Sequence, residues 1–295
     1  MKLIKPITYS DTQLISTNAT ESVAAYAAGT TYAVGAYVQY SPRIYQSLVA
    51  SNVGNQPDIS PTKWLDTGPD NKHGMFDTQV STQTTMPTTI TVQVKPGAAF
   101  NSLGLLNISG NSLVVTMLDT IGGTSVYSNT VSLDNTIILD WYMYFFEPYN
   151  FKTDVVLTDL PPYPNGAITA TLTSTSTALI GSMVYGTTYD IGSTQYGATV
   201  GIRDYSTKTT DTFGNTTFVK RAYSKRMEAG VFVKTENLTF NYNLLASIRA
   251  TPVVWIGSDV TTMQPLVMFG YYRDFTVNIQ YPSYALCNLS IEGLI

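Results

Sequence analysis

The sequence predicts a mostly β protein with three parts: a small aromatic-rich β module, a large antiparallel β-sandwich or jelly roll, and a C-terminal α+β segment. Three observations carry this. Only 12% of the 295 residues are charged, about half the usual ~25% share. Tyr alone supplies 21 positions, and a Tyr- and Thr-rich chain suits strands more than helices. Short runs of alternating apolar and polar residues follow one another, separated by Gly, Pro and Asn turns roughly every 8–12 residues. A helical period is visible in a single stretch.

Residues 1–22 read as an N-terminal arm, either a strand that joins a sheet or a docking segment. Residues 23–68 form the small module, punctuated by Gly29, Gly35, Pro42, Gly54, Pro57, Pro61 and Gly68. Between these stops, Ala36 to Tyr40 and Ile44 to Val49 alternate as strands, with Tyr32, Val38 and Tyr45 expected inside. Residues 69–235 are strand after strand. Thr89 to Val94 alternates until Pro96-Gly97. Leu103 to Ile108, Ser112 to Leu118, Thr124 to Ser128, Ala167 to Leu172 and Leu179 to Tyr185 continue the series. Ile137 to Phe146 reads as a buried central strand ending at Glu147-Pro148, because six consecutive large side chains put three on each face. The polar stretch Asp204 to Met227 carries a hairpin tip at Phe213-Gly214-Asn215.

Residues 236–295 open with the helix, 236–249, in which Leu238, Tyr242, Leu245 and Ile248 lie close to one face. Arg249 near its end suits the helix dipole, and Pro252 follows. Val253 to Gly257 reads as a buried strand and Phe275 to Ile279 as a half-buried one.

Charge and residue counts narrow the function. The net charge is −4 and the pI about 4.9, which demotes general nucleic-acid binding. A single Cys, Cys287, forms no intrachain disulfide, and a single His, His73, excludes multi-His metal sites. The nucleotide-binding glycine loops and the GxSxG elbow are missing. The start, Met1 to Pro6, has no apolar signal region, and the longest apolar-aromatic run is far short of the ~20 residues of a membrane span. No cofactor or metal is expected, and an enzyme is not the leading class.

The segment from Tyr26 to Trp64 carries Tyr26, Gly29, Tyr32, Gly35, Val38, Tyr40, Tyr45, Pro57 and Trp64 in an order and spacing that resembles small chitin- and cellulose-binding modules of the family 5/12 type. Tyr26 stands where that family usually has Trp. Phrases along the rest of the chain resemble tail-associated structural proteins of tailed bacteriophages. They include Met1 to Pro6, Gly68 to Lys72, Met75 to Asp77, Trp141 to Pro148, Gly201 to Ser206, Phe213 to Thr217, Ala222 to Met227 and Trp255 to Gly257 through Pro282. The resemblance implies a non-enzymatic virion component (tail tip, collar, tube decoration or fibre base) made in the host cytoplasm. Its implied partners are other tail proteins, copies of itself and host cell-surface polysaccharide. The alternative is a carbohydrate-active hydrolase whose binding module is the visible part.

The residues that would carry these roles follow. Tyr26, Tyr40, Tyr45 and Trp64 are candidates for a stacking platform under a sugar ring; the competing role is the module's own core. Phe269, Tyr271, Tyr272, Tyr281 and Tyr284 are candidates for an assembly interface, because such surfaces are rich in aromatics and poor in charge. The competing role is that this segment folds back on its own sandwich. Lys220, Arg221, Lys225 and Arg226 form the densest basic cluster, read as a solvated or inter-subunit ion-pair face, and His73 reads as a linker or interface residue.

Overall fold

The computed structural model describes residues 1–136, 138–258 and 260–295. Strands hold 47% and helices 11% of it, so the chain is mostly β, as its composition predicts. The alternating runs become strands with little change of boundary. Thr89–Val94 and Ser112–Leu118 form as read, and Ala178–Asp190 and Val267–Asn278 run longer than their apolar stretches.

Four antiparallel sheets form among the described residues. The smallest is the hairpin of Thr207–Thr210 with Thr216–Val219, whose tip is Phe213-Gly214-Asn215. The module is a three-stranded sheet of Tyr37–Tyr40, Arg43–Ser47 and Trp64–Pro69. A five-stranded sheet runs in the order Ser125–Ser132, Ser112–Leu118, Ala167–Thr173, Thr89–Val94 and Leu14–Thr17. The largest has eleven strands and curls into a half-barrel.

One half of the large sheet, built on Ser102–Ser109 and Ala178–Asp190, packs on the five-stranded sheet. Ile90, Val92, Val94, Leu113, Val115 and Met117 point inward from one layer, and Leu103, Leu105, Ile180 and Tyr185 from the other. In Thr89–Val94 and Ser112–Leu118 the alternation is strict, the period-2 pattern of a half-buried strand, whereas Ser102–Ser109 is buried on both faces over most of its length. The other half comprises Val253–Ile256, Val267–Asn278, Tyr284–Gly293 and Tyr223–Lys234. Its inner face closes on the helix Leu238–Ser247 through Met227, Val231, Trp255, Leu289 and Ile291. The C-terminal segment therefore extends the large sheet instead of packing on it.

The N-terminal strand Lys2–Pro6 joins the two halves. It pairs with Ala178–Asp190 on one side and Val253–Ile256 on the other. Leu3 faces the helix-side core, Ile4 faces the opposite one, and both are fully buried. Each such burial contributes about 1.5–3 kcal/mol. Close approach is part of this joint: a Cβ on Gly186 would stand 2.0 Å from the Lys5 carbonyl oxygen, so the position requires glycine.

Two readings need correction. Ile137 lies outside the described residues, but the remainder of the expected central strand is neither a strand nor buried. Trp141–Phe146 is a single turn-and-a-half of α-helix with its large side chains in solvent. Asp140 caps it by accepting from the Met143 backbone N–H at 2.8 Å. Pro148 forces Glu147 into extended backbone and ends it. A strand there needed cover on both faces, and local capping prevailed because no segment among the described residues supplies that cover. In the C-terminal helix, Tyr242 points to solvent, while Asn241 turns inward and donates from Nδ2 to the Ile191 carbonyl at 2.8 Å. The buried face is Asn241, Leu244, Leu245 and Ile248, rotated from the expected stripe.

Candidate functional site

The aromatic residues of the module form a core and not a platform. Trp64 is 2% exposed, and its indole Nε1 donates to the Asn55 carbonyl at 2.9 Å. Val38 and Tyr45 are buried beside it, with Tyr26, Tyr32 and Tyr40 packed around them. The rings meet edge to face: Tyr26 with Trp64 at 90°, Tyr26 with Tyr40 at 78° and Tyr32 with Trp64 at 69°. A sugar-stacking surface needs open ring faces, and the faces of Trp64 and Tyr45 are covered here. The physical reason is size: a unit this small holds together only by spending its large side chains on its interior.

The module is riveted to the body through Asp70 and Asn71. The Asp70 carboxylate, fully buried, accepts from Gln39 Nε2 at 2.8 Å and Ser41 Oγ at 3.1 Å in the module. Its other oxygen lies 2.5 Å from His73 Nδ1 and accepts the His73 backbone N–H at 3.1 Å. Burial opposes ionisation, but these hydrogen bonds from His73, Gln39 and Ser41 outweigh it and hold the carboxyl down to about 2. Asn71 next door donates to the Thr20 and Thr85 carbonyls and accepts from the Thr85 N–H. His73 thus serves the linker, as the sequence implies.

The exposed apolar surface lies elsewhere. The loop from Leu139 to Tyr149 presents Leu139, Trp141, Tyr142, Tyr144, Phe145, Phe146 and Tyr149, each 60% exposed or more. Within the helical turn the rings pair at i,i+4, Trp141 on Phe145 and Tyr142 on Phe146, which orders them without covering them. A short stalk carries the loop: Lys152 N–H donates to the Leu133 carbonyl at 2.7 Å, and Asn135 N–H to the Asn150 carbonyl at 2.7 Å.

Asp154 pins the base of the stalk. It is nearly buried and accepts from the Asn107 backbone N–H at 3.1 Å, from Thr153 Oγ1 at 3.1 Å and from Lys225 Nζ at 2.5 Å. Three hollows meet at it, two of which also share Thr153, Tyr223 and Lys225. One, of about 230 Å³, has an apolar floor that includes Leu106, Phe269 and Leu294. The other, of about 620 Å³, is bounded by Phe151, Val200, Ile202 and Tyr223. Together they make a trough with an apolar floor and a mixed wall, in which Asn135, Asn150, Gln264 and the Asp154–Lys225 pair stand beside the apolar side chains.

The five C-terminal aromatics divide. Phe269 is buried in the fold and reaches the trough floor. Tyr272 donates to the Leu245 carbonyl at 3.0 Å and packs against Trp255 and Phe275, so it ties the helix to the sheet. Tyr271 donates to Glu292 Oε2 at 3.4 Å. Tyr281 and Tyr284 stack on each other, with Tyr281 half exposed. For Tyr272, folding back on the protein's own sheet takes the place of an interface, while Phe269 packs in the sheet and also lines the trough.

Lys225 of the basic cluster is paired with Asp154, while Lys220, Arg221 and Arg226 are exposed. Burial pushes the Cys287 thiol up to about 11, which makes it a poor nucleophile. Among the described residues, no group of three or more His, Cys, Asp or Glu is placed to hold a metal ion, and no helix is long and apolar enough to cross a membrane. On the outer face of the large sheet, Glu228 and Asp274 both stand opposite Ser290 from its two flanking strands. They border an open polar hollow of about 450 Å³ with Tyr196 and Asn288.

The fold and surface define a mostly antiparallel β protein with a buried aromatic module and an exposed aromatic loop. Set against known protein families, curated proteins and solved structures, the chain matches none of them. The sequence signal for the loop was present as a run of six large side chains. It was assigned to the interior because alternation by itself does not tell which surface covers it.

Proposed function

We propose that this chain is a non-enzymatic structural subunit that docks into a larger protein assembly, of the tail-associated phage type its sequence phrases resemble. The observation that carries this reading is the aromatic loop. Six of its rings, each offering roughly 150–250 Å² in full, leave on the order of 800 Å² of apolar surface in water. The largest patch on a typical monomer is only about 300–600 Å². The low charge of the chain points the same way, since interface centres are depleted in Lys, Glu and Asp. An electron-microscopy map of the assembled particle tests it. The expected result is a covered loop and a total buried area above about 1,000 Å² per subunit; a loop left in solvent with less buried area sinks the proposal. Contact with host polysaccharide through the module would have to use the exposed ring of Tyr37 or the partly exposed rings of Tyr26 and Tyr40, and binding to chitin beads tests that.

A second reading as an inverting glycoside hydrolase draws on Glu228 and Asp274. Two strand spacings of ~4.8 Å put their backbones roughly 10 Å apart on one face, near the ~6.5–9.5 Å carboxyl separation of inverting enzymes. Polysaccharide hydrolysis lost in Glu228→Gln or Asp274→Asn would favour it over assembly. The open outer face of a sheet, where polar residues alternate with buried ones, is the simpler account of this pair.

A further inference from the structure

We infer that the aromatic loop of one copy seats in the apolar-floored trough of a second copy of this chain. The inference rests on the docking reading and names its partner. Knob and hole are matched in chemistry. The loop offers Trp141, Tyr142, Phe145 and Phe146 with no polar face among them. The trough offers Leu106, Phe269 and Leu294 below, with Ile202 and Tyr223 at its side. The larger of its two hollows, about 620 Å³, falls in the size range of small-molecule pockets, roughly 300–1,000 Å³, and the smaller, about 230 Å³, falls below it.

Charge supports the same pairing. Exposed acids bracket the knob: Asp134 and Asp140 before it, Glu147 after it. Beside the trough, exposed Lys220 and Arg221 lie in the connection that leads into the strand Tyr223–Lys234, and exposed Arg226 lies on that strand. Complementary rims of this kind set orientation and speed encounter. The same acids argue against a bilayer as occupant. Helices that lie in membrane interfaces carry Lys and Arg on their polar face, and anionic headgroups repel a carboxylate rim.

The area is sufficient. The loop's roughly 800 Å² is the share that one partner contributes to a standard interface. The loop cannot use its own trough, because its stalk is the trough wall: Asn135, Asn150 and Phe151 line the larger hollow. The hydrogen bonds from Lys152 to Leu133 and from Asn135 to Asn150 close that stalk and hold the rings beyond it. A knob and a hole at different places on one surface make a head-to-tail contact, or a reciprocal one where two copies exchange knobs.

The test is self-association of the full chain by sedimentation velocity over a concentration series, with directed cross-linking. Ser81 lies at the trough and Thr120 on a distant turn, and both are exposed. Phe145→Cys mixed with Ser81→Cys should form a disulfide-linked heterodimer under mild oxidation, while Phe145→Cys mixed with Thr120→Cys should not. Native Cys287 is buried and stays out of the exchange. Phe145→Asp should weaken self-association at least about tenfold, a loss of about 1.4 kcal/mol, with an unchanged thermal midpoint. Self-association that survives Phe145→Asp, with no cross-link to Ser81→Cys, overturns the inference and leaves the docking reading standing. A wild-type chain that is monomeric throughout and forms no cross-link also overturns it. Loop-dependent binding to vesicles of phosphatidylcholine and phosphatidylglycerol, lost in Phe145→Asp, would overturn both.

Discussion

Two aromatic clusters of similar composition meet opposite fates in this molecule. In the module, Tyr26, Tyr32, Tyr40, Tyr45 and Trp64 gather around a small core, and Trp64 is almost wholly buried. In the loop, Trp141, Tyr142, Tyr144, Phe145 and Phe146 stand in solvent with only each other for company. The sequence reading expects Tyr32 and Tyr45 inside, leaves the module rings open between stacking platform and core, and puts the loop in a buried strand. Hydrophobic character is the same in both. What differs is the supply of cover: a three-stranded sheet folds around the first cluster, whereas the second sits on a stalk outside both halves of the sandwich.

The sharpest test of this contrast is Trp64→Ala. Removing a fully buried Trp should cost about 3–5 kcal/mol, and limited proteolysis should then cut within residues 23–69 while the sandwich persists. A module that keeps its stability and loses only glycan affinity would reverse the assignment.

Acid should weaken the same region by a smaller amount. The Asp70 carboxyl is held near 2 in the folded protein, against an ordinary 3.8. Its stabilisation is therefore complete above pH 4 or so and is lost as pH falls toward 2. The amount is about 2 kcal/mol, from a shift of that size. Urea unfolding at a series of pH values measures it, and in Asp70→Asn the acid-dependent loss over that window should shrink.

For the loop, Asp140→Ala removes the cap of the short helix and should cost about 1 kcal/mol locally. Faster amide exchange confined to residues 141–147, with no change in global melting, is the expected outcome. The smallest effect is the most telling: Trp141→Ser with Phe145→Ser should leave the isolated chain within about 0.5 kcal/mol of wild type, as for other exposed positions. A drop of several kcal/mol would mean that these rings are core after all.

Much of the fold was legible beforehand. Thr89–Val94 and Ser112–Leu118 appear at the limits their alternation implies, the helix lies where the helical period puts it, and Phe213-Gly214-Asn215 turns a hairpin. The candidate site was legible only as a list of aromatic residues. Its C-terminal members, Phe269 and Tyr272, are drawn into the protein's own packing by contacts with strands and a helix that no local pattern announces.

By itself the sequence determined the strands that alternate, such as Thr89–Val94 and Ser112–Leu118, because alternation of apolar and polar side chains acts between neighbours two positions apart and needs no distant partner. It also determined the module's stops and the C-terminal helix, through Gly, Pro and helical-period preferences that are equally local. Only the tertiary structure decided which aromatic cluster is covered, and how Lys2–Pro6 comes to lie between strands that begin at Ala178 and Val253. Pairing of that kind depends on chain segments far apart in sequence, and burial depends on what those segments leave uncovered. A strand pattern encodes a face to be buried, but the surface that buries it belongs to another part of the chain or to another molecule.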